Sequence, residues 1–179
     1  MHIPTIDPAD ASAQAIELYD SDHDGALSTA ELAACPGILG HLSLYDLDGD
    51  GSVSPQELEA RFRDFRSKRI GLTSLRVRLR MNGRPLPGAK VKLIPEPYLG
   101  DEVKAASGRT SGRGIARMDI HDDDSPSDEK GMVGVHFGTY KVEVTHTTVQ
   151  IPAKYNTQTT LGYETEPGNP ILVIELKSR

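Results

Sequence analysis

Twelve residues, DSDHDGALSTAE from Asp20 to Glu31, place acids at positions one, three and five, a glycine at six and a glutamate at twelve. The spacing repeats in DLDGDGSVSPQE, Asp46 to Glu57. Hard oxygen donors so spaced can wrap one divalent cation: calcium takes roughly six to eight oxygens at about 2.3–2.6 Å, from positions 1, 3, 5, 7, 9 and 12 of such a loop. In the first loop Asp20, Asp22 and Asp24 offer carboxylates, Ala26 its carbonyl, Ser28 a hydroxyl or a bridging water, and Glu31 a bidentate carboxylate. Asp46, Asp48, Asp50, Ser52, Ser54 and Glu57 take the same roles in the second. A bidentate glutamate at both twelfth positions favours calcium over the smaller magnesium. Capping boxes and Asp-Gly turns explain fragments of this pattern, but neither predicts the full ligand set twice in tandem.

The loops need elements to hold them. Gly25 and Gly51 occupy the sharp turn, where a Cβ would be strained. Leu27 and Val53, at position eight, are placed to pair the loops through a short β-bridge. Before the first loop, PADASAQAIELY reads as a helix with Ile16 and Tyr19 on one face; before the second, ILGHLSLY spaces Ile38, Leu42 and Tyr45 helically. Ser28-Thr-Ala-Glu31 and Ser54-Pro-Gln-Glu57 are capping boxes that start the following helices, with Pro55 at a favoured first position. Leu32, Leu58, Phe62 and Phe65 supply the facing apolar stripe. Pro36-Gly37 separates the two halves, and the linking helices must be short. These residues resemble the EF-hand family over roughly residues 8 to 69. A related module, the dockerin, usually carries Asp at position twelve and lacks the first helix; Glu31, Glu57 and the amphipathic stretch before Asp20 set this chain apart.

Composition agrees. The 179-residue chain has a formal net charge of -6, but setting aside the eight loop carboxylates leaves +2, so the acidity is local. Two bound divalent cations would bring the whole to -2. No apolar run approaches the roughly 18 residues of a membrane span. The start, MHIPTIDPADAS, lacks the charged and apolar regions of a signal peptide, so the chain is expected to be cytosolic or to have lost an export segment. The single Cys35 excludes an intramolecular disulfide and is expected to be a small buried hydrophobe. His23, at a non-ligating loop position, is expected to be solvated.

From Leu72 the period changes. SLRVRLRM alternates Leu75, Val77, Leu79 and Met81 with Arg76, Arg78 and Arg80, which predicts a strand with one face in a core. Asn82-Gly83 signals a hairpin, followed by AKVKLIP, ASGRTSGRGIARMDI with a turn near Gly112 to Gly114, GTYKVEVTH and ILVIELK. Many short strands without helices predict an antiparallel β-sandwich. NGRPLPGAKVKLIPEP, SGRTSGRGIARMDI and GTYKVEV, in that order, resemble the carboxypeptidase regulatory-like or transthyretin-like (prealbumin-like) sandwich family over about residues 73 to 177. The likeness extends to bacterial extracytoplasmic versions that also carry IPAKYNTQTTLGYE. It implies an exported protein, periplasmic, cell-surface or secreted, whose signal peptide or lipid anchor was removed. The same fold hosts hydroxyisourate hydrolase, which should end Tyr-Arg-Gly-Ser; this chain ends Leu-Lys-Ser-Arg. His121, His136 and His146 match no catalytic motif and are expected on the surface or on strands.

Several features read as structural. Among the basic residues from Arg61 to Arg84, Arg76, Arg78 and Arg80 fall on the water side of a strand and the others decorate a helix, in preference to an anion site. HDDDSPSDE, His121 to Glu129, reads as a solvated loop, and Lys154-Tyr155-Asn156 as a structural one. Between Phe65 and Leu75, RSKRIGLTS lacks the composition of a flexible linker, so the last EF-hand helix should dock on the sandwich through Ile70 and Leu72.

The expectation is therefore a multidomain α and β protein, an all-α EF-hand pair (1–70) followed by an antiparallel Ig/prealbumin-like β-sandwich (71–179). Two structural calcium ions would orient a non-enzymatic binding or structural module. Its partner would be a protein or carbohydrate, not nucleic acid. A calcium sensor that opens an apolar groove is the competing reading, a hydrolase the least favoured.

Overall fold

The computed structural model describes residues 3–67, 71–120, 134–165, 167–168 and 170–178. The first helix, α1 (Pro8–Tyr19), starts where Asp7 accepts hydrogen bonds from the amides of Ala9 and Asp10, with Pro8 preset for the first turn. The first loop follows, then the short strand β1 (Leu27–Ser28) and a 3-10 turn (Glu31–Ala34). Helix α2 (Pro36–Leu39) and a second 3-10 turn (Leu42–Leu44) lead into the second loop, strand β2 (Ser52–Val53) and α3 (Pro55–Ser67). The helices between the loops are thus reduced to single turns. Leu27 and Val53 are register partners in an antiparallel β1–β2 pair, as their loop position predicts. Leu32, Ile38, Tyr45, Leu58, Phe62 and Phe65 are all buried.

The rest is β-rich. Strand β3 (Leu75–Met81) turns through Asn82 and Gly83, both at positive φ (51° and 79°), into β4 (Arg84–Pro85). Those dihedrals make the two-residue turn whose twist matches a hairpin. Then come β5 (Lys90–Pro95), β6 (Ala106–Arg109), β7 (Ile115–Met118), β8 (Thr139–Thr145), β9 (Gly162–Glu164) and β10 (Ile171–Leu176). One sheet has the antiparallel order β6-β5-β8-β9; in the other, β3 is flanked by β10 on one side and by β4 and β7 on the other. Leu75, Val77 and Leu79 are buried while Arg76 and Arg80 are exposed, so the alternation read from the sequence sets the faces of β3.

The all-antiparallel expectation fails at one place. β10 runs parallel to β3, pairing Ile171 with Arg76 through Leu176 with Met81. Hairpins enforce antiparallel pairing only between strands joined by tight turns. Six strands intervene between β3 and β10, so no turn constrains this pair. The arrangement is a helical region carrying the two acidic loops, joined to a mixed, predominantly antiparallel β region.

One apolar core runs through both regions, from Ile6 to Leu176. Phe62 of α3 stacks on Tyr98, which lies in a 3-10 turn (Pro97–Leu99), with ring centroids 5.3 Å apart. Backbone meets backbone at Gly162: a Cβ there would lie 2.0 Å from the Pro36 carbonyl carbon and 2.2 Å from the Gly37 nitrogen. Gly37 in turn faces Thr139 and Tyr140 of β8. The direct docking of α3 that the sequence predicts is therefore present, carried by Phe62. Leu72 packs half-buried against the core, whereas Ile70 lies outside the described residues.

Candidate metal centre

Both acidic loops fold by the same hydrogen bonds. The position-six amide donates to the position-one carboxylate, Gly25 to Asp20 at 2.9 Å and Gly51 to Asp46 at 3.1 Å. The amides of Asp24 and Asp50 donate to the carboxylates at position three, Asp22 and Asp48, both at 3.2 Å. Ala26 and Ser52 donate to Asp24 and Asp50 at 2.9 and 2.8 Å. Gly25 (φ 93°) and Gly51 (φ 89°) hold the left-handed turn, and His23 shares that conformation at position four, where the second loop has Gly49. The result in each loop is three convergent carboxylates with one oxygen apiece within 4.8 Å of the others: Asp20, Asp22, Asp24 and Asp46, Asp48, Asp50.

Glu31 and Glu57 lie outside these triplets and close the loops from below. Glu31 accepts from the amides of Ser21 at 2.7 Å and Ser28 at 2.9 Å, and from the Ser28 hydroxyl at 2.8 Å. Glu57 accepts from the amides of Leu47 at 2.7 Å and Ser54 at 2.8 Å, and from the Ser54 hydroxyl at 2.8 Å. Ser28 and Ser54, at position nine, are thereby bound to the position-twelve carboxylates. The Ser28 amide, foremost among these donors, holds the Glu31 carboxyl down at about 2. Burial acts to raise Glu57, but the amides of Ser54 and Leu47 outweigh it and hold its carboxyl below the ordinary value. Both glutamates are thus poised as anions. The carbonyl-bearing residues Ala26 and Ser52 sit where the loops run into β1 and β2.

One atom tests the fit to a cation. Asp20 is buried, and its Oδ1 has no hydrogen-bond partner among the described residues. A buried carboxylate oxygen without a donor is costly, and it is the atom a cation at position one would engage. The donor set is all oxygen, which suits a hard cation.

The sequence reading missed what lies behind the loops. Tyr19 and Tyr45, each immediately before its loop's first aspartate, reach into the β region. The Tyr19 hydroxyl donates to Glu96 at 2.5 Å and the Tyr45 hydroxyl to Glu164 at 2.6 Å. Both glutamates are buried. Arg61 of α3 forms an ion pair with Glu164 and lies over the Tyr45 and Phe65 rings. Lys141 approaches Glu96 at 3.8 Å. Burial raises the Glu96 carboxyl above its ordinary value, against the pull of Tyr19, Lys141 and Cys35. Burial likewise raises both tyrosine hydroxyls, so they remain donors. Cys35 is buried beside Tyr98, its thiol pushed up to about 12 by burial. A tyrosine repeated one residue before each loop is the signal that could have revealed the pair.

Of the histidines, His136 is fully buried, against the surface or strand placement expected, and its Nδ1 accepts from the Lys104 amide at 3.0 Å. Its neighbours Val135 and Phe137 carry it into the core. His146 Nδ1 accepts from the amides of Thr148 and Val149. Tyr155, in a 3-10 turn (Ala153–Tyr155), is buried and accepts from the Lys177 amide at 3.2 Å. His121 and the acidic run to Glu129 lie outside the described residues.

A family model for the EF hand matches residues 13–36 and 41–62. No curated protein matches the chain. Among solved structures, one titled "The Bacillus anthracis TIE protein" is similar at 19% identity with a TM-score of 0.35, covering 59% of this chain. The chain spans 16% of that structure's length. Among the described residues, no helix is long and apolar enough to cross a membrane. Two EF-hand motifs with two aspartate clusters, fused to a β region, fit calcium binding.

Proposed function

We propose that the protein binds two calcium ions as structural elements that hold a non-enzymatic β module in a fixed orientation outside the cytoplasm. The observation that carries this reading is the pair of tyrosines: the residue preceding each loop's first ligand anchors on a buried glutamate of the β region. Ordering a loop around a cation fixes its first aspartate, and with it the adjacent tyrosine and its buried partner. Without a cation, carboxylates about 4 Å apart repel by roughly 1 kcal/mol in water and about 4 kcal/mol at a partly shielded site. A cation that binds only the folded state removes that repulsion and stabilises the fold by mass action.

The β region is read as a transthyretin-like sandwich on its run of motifs, and the same resemblance supports an exported setting. Its partner is read as a protein or carbohydrate. The competing sensor requires an apolar groove that opens to a separate target. Here Phe62 and Phe65 are already covered and Tyr98 of the β region stacks on Phe62, which supports a groove filled from within the same chain. A non-enzymatic role is supported by His146, both of whose ring nitrogens are engaged, Nδ1 by the Thr148 and Val149 amides and Nε2 by the Pro87 carbonyl at 2.9 Å, and by the buried His136.

A calorimetric calcium titration with dye-binding fluorescence tests the reading. Two ions bound per chain, a higher melting temperature and little new dye binding are expected. Strong dye binding on calcium addition would instead establish a sensor, and no calcium heat would overturn the proposal.

A further inference from the structure

Like charges directly opposite one another on a β-ladder repel, yet the β region has two such pairs. Arg76 of β3 faces Arg117 of β7, and Lys90 of β5 faces Arg109 of β6. All four are exposed. Arg117 has Asp119 at 3.9 Å, and Arg109 donates to the Gly88 carbonyl at 2.8 Å. Among the described residues, no carboxylate forms an ion pair with Arg76 or Lys90.

Each pair lines a cleft. One, of about 260 Å³, is bounded by Ser74, Leu75, Arg76 and Arg117; the other, of about 220 Å³, by Lys90, Ser107, Gly108 and Arg109. The clefts flank the seam where the two sheets meet. There Ser107 and Asp119 exchange backbone hydrogen bonds at 2.9 and 3.1 Å. Gly108 sits so close to β7 that a Cβ would lie 2.1 Å from the Arg117 carbonyl oxygen. The seam therefore fixes the clefts relative to one another. Along β3, Arg78 and Arg80 extend the cationic row at a spacing of about 6.8 Å per two residues.

This chemistry selects a ligand class. Guanidinium forks bind the oxygens of carboxylate and phosphate groups in bidentate fashion, and those of sulfate by the same geometry. Among the described residues no aromatic side chain lines either cleft, so they offer none of the stacking platform used by single-stranded nucleic-acid binders. The clefts belong to different sheets, and a flexible linear chain can follow the seam from one to the other where a planar bilayer would meet one face. We propose that the β6–β7 seam binds a linear acidic polysaccharide, with one anionic group between Arg76 and Arg117 and another between Lys90 and Arg109. The proposal rests on the β region being a binding module and is independent of calcium.

The test is calorimetric binding of a size-defined heparin oligosaccharide, in chelator and in calcium, over a series of salt concentrations. Variants R76E/R117E and K90E/R109E are each expected to weaken binding about tenfold or more, and the four changes together to abolish it. Wild-type affinity should fall steeply with salt. Should a reversal variant fail to fold, R76Q/R117Q and K90Q/R109Q report instead; removing a repulsion, they should melt no lower than wild type and still bind more weakly. Unchanged affinity in both pairs of variants would overturn the proposal. So would tighter binding of oligothymidylate or of anionic phosphatidylglycerol vesicles that the same variants abolish. Because binding is also measured in chelator, absence of calcium binding leaves this result interpretable.

Discussion

Carboxylates serve opposite purposes in the loops and at the joint. In the loops, three aspartates per turn converge within 4.8 Å and face water, apart from the buried Asp20 and the half-buried Asp46. At the joint, Glu96 and Glu164 are buried, each with one tyrosine donor and one nearby cation. The loops leave charge uncompensated for an external ion; the joint compensates its charge from within the chain. Tyr19 and Tyr45 link the two arrangements, so an ion bound in a loop acts one residue away from a buried polar contact between the regions.

The largest effect should come from the loops. Glu31→Gln with Glu57→Gln should abolish the gain in unfolding free energy on calcium addition, about 5 kcal/mol for two sites at a hundredfold excess over Kd, read from urea unfolding. Next is Glu164→Gln, which removes the buried partner of Arg61 and leaves it only the more exposed Asp64 at 3.2 Å; breaking a fully buried pair costs about 3–5 kcal/mol, and the remaining pair places this loss at the lower end. Calcium should still bind this variant, now with stability lost at the joint alone. Gly162→Ala forces α2 away from β9 and should cost about 2 kcal/mol, while calcium stoichiometry stays unchanged.

The smallest effect sharpens the comparison by pH. Glu96 faces Tyr19, Cys35, Tyr98 and Lys141, and burial raises its carboxyl. A carboxyl raised on folding binds protons better in the folded state. Its contribution is therefore fully favourable below the unfolded value and is lost as pH rises through the folded one. Glu96→Gln should flatten that decline in stability just above the ordinary carboxylate range, leaving the slope at lower pH alone. An unaltered profile would mean that Glu96 is compensated more fully than its surroundings indicate.

Much of this was legible from local sequence. Ligand spacing, the Leu27–Val53 pair, the positive-φ turn at Asn82-Gly83 and the alternation along β3 depend on neighbours a few residues apart. The parallel placement of β10 does not, because no tight turn ties it to β3. Nor do the partners of Tyr19 and Tyr45, which lie 77 and 119 residues away. In sequence these tyrosines read as apolar-face residues; only the fold reveals where their hydroxyls go. The burial of His136 was hidden for the same reason.

Amide hydrogen exchange with and without calcium tests the central claim most directly. If the ions hold the joint as well as the loops, protection should rise together in the loop amides, such as Gly25 and Gly51, and in joint amides around Gly37, Tyr140 and Tyr163. Protection confined to the loops, with the joint exchanging at the same rate in chelator, would contradict the account.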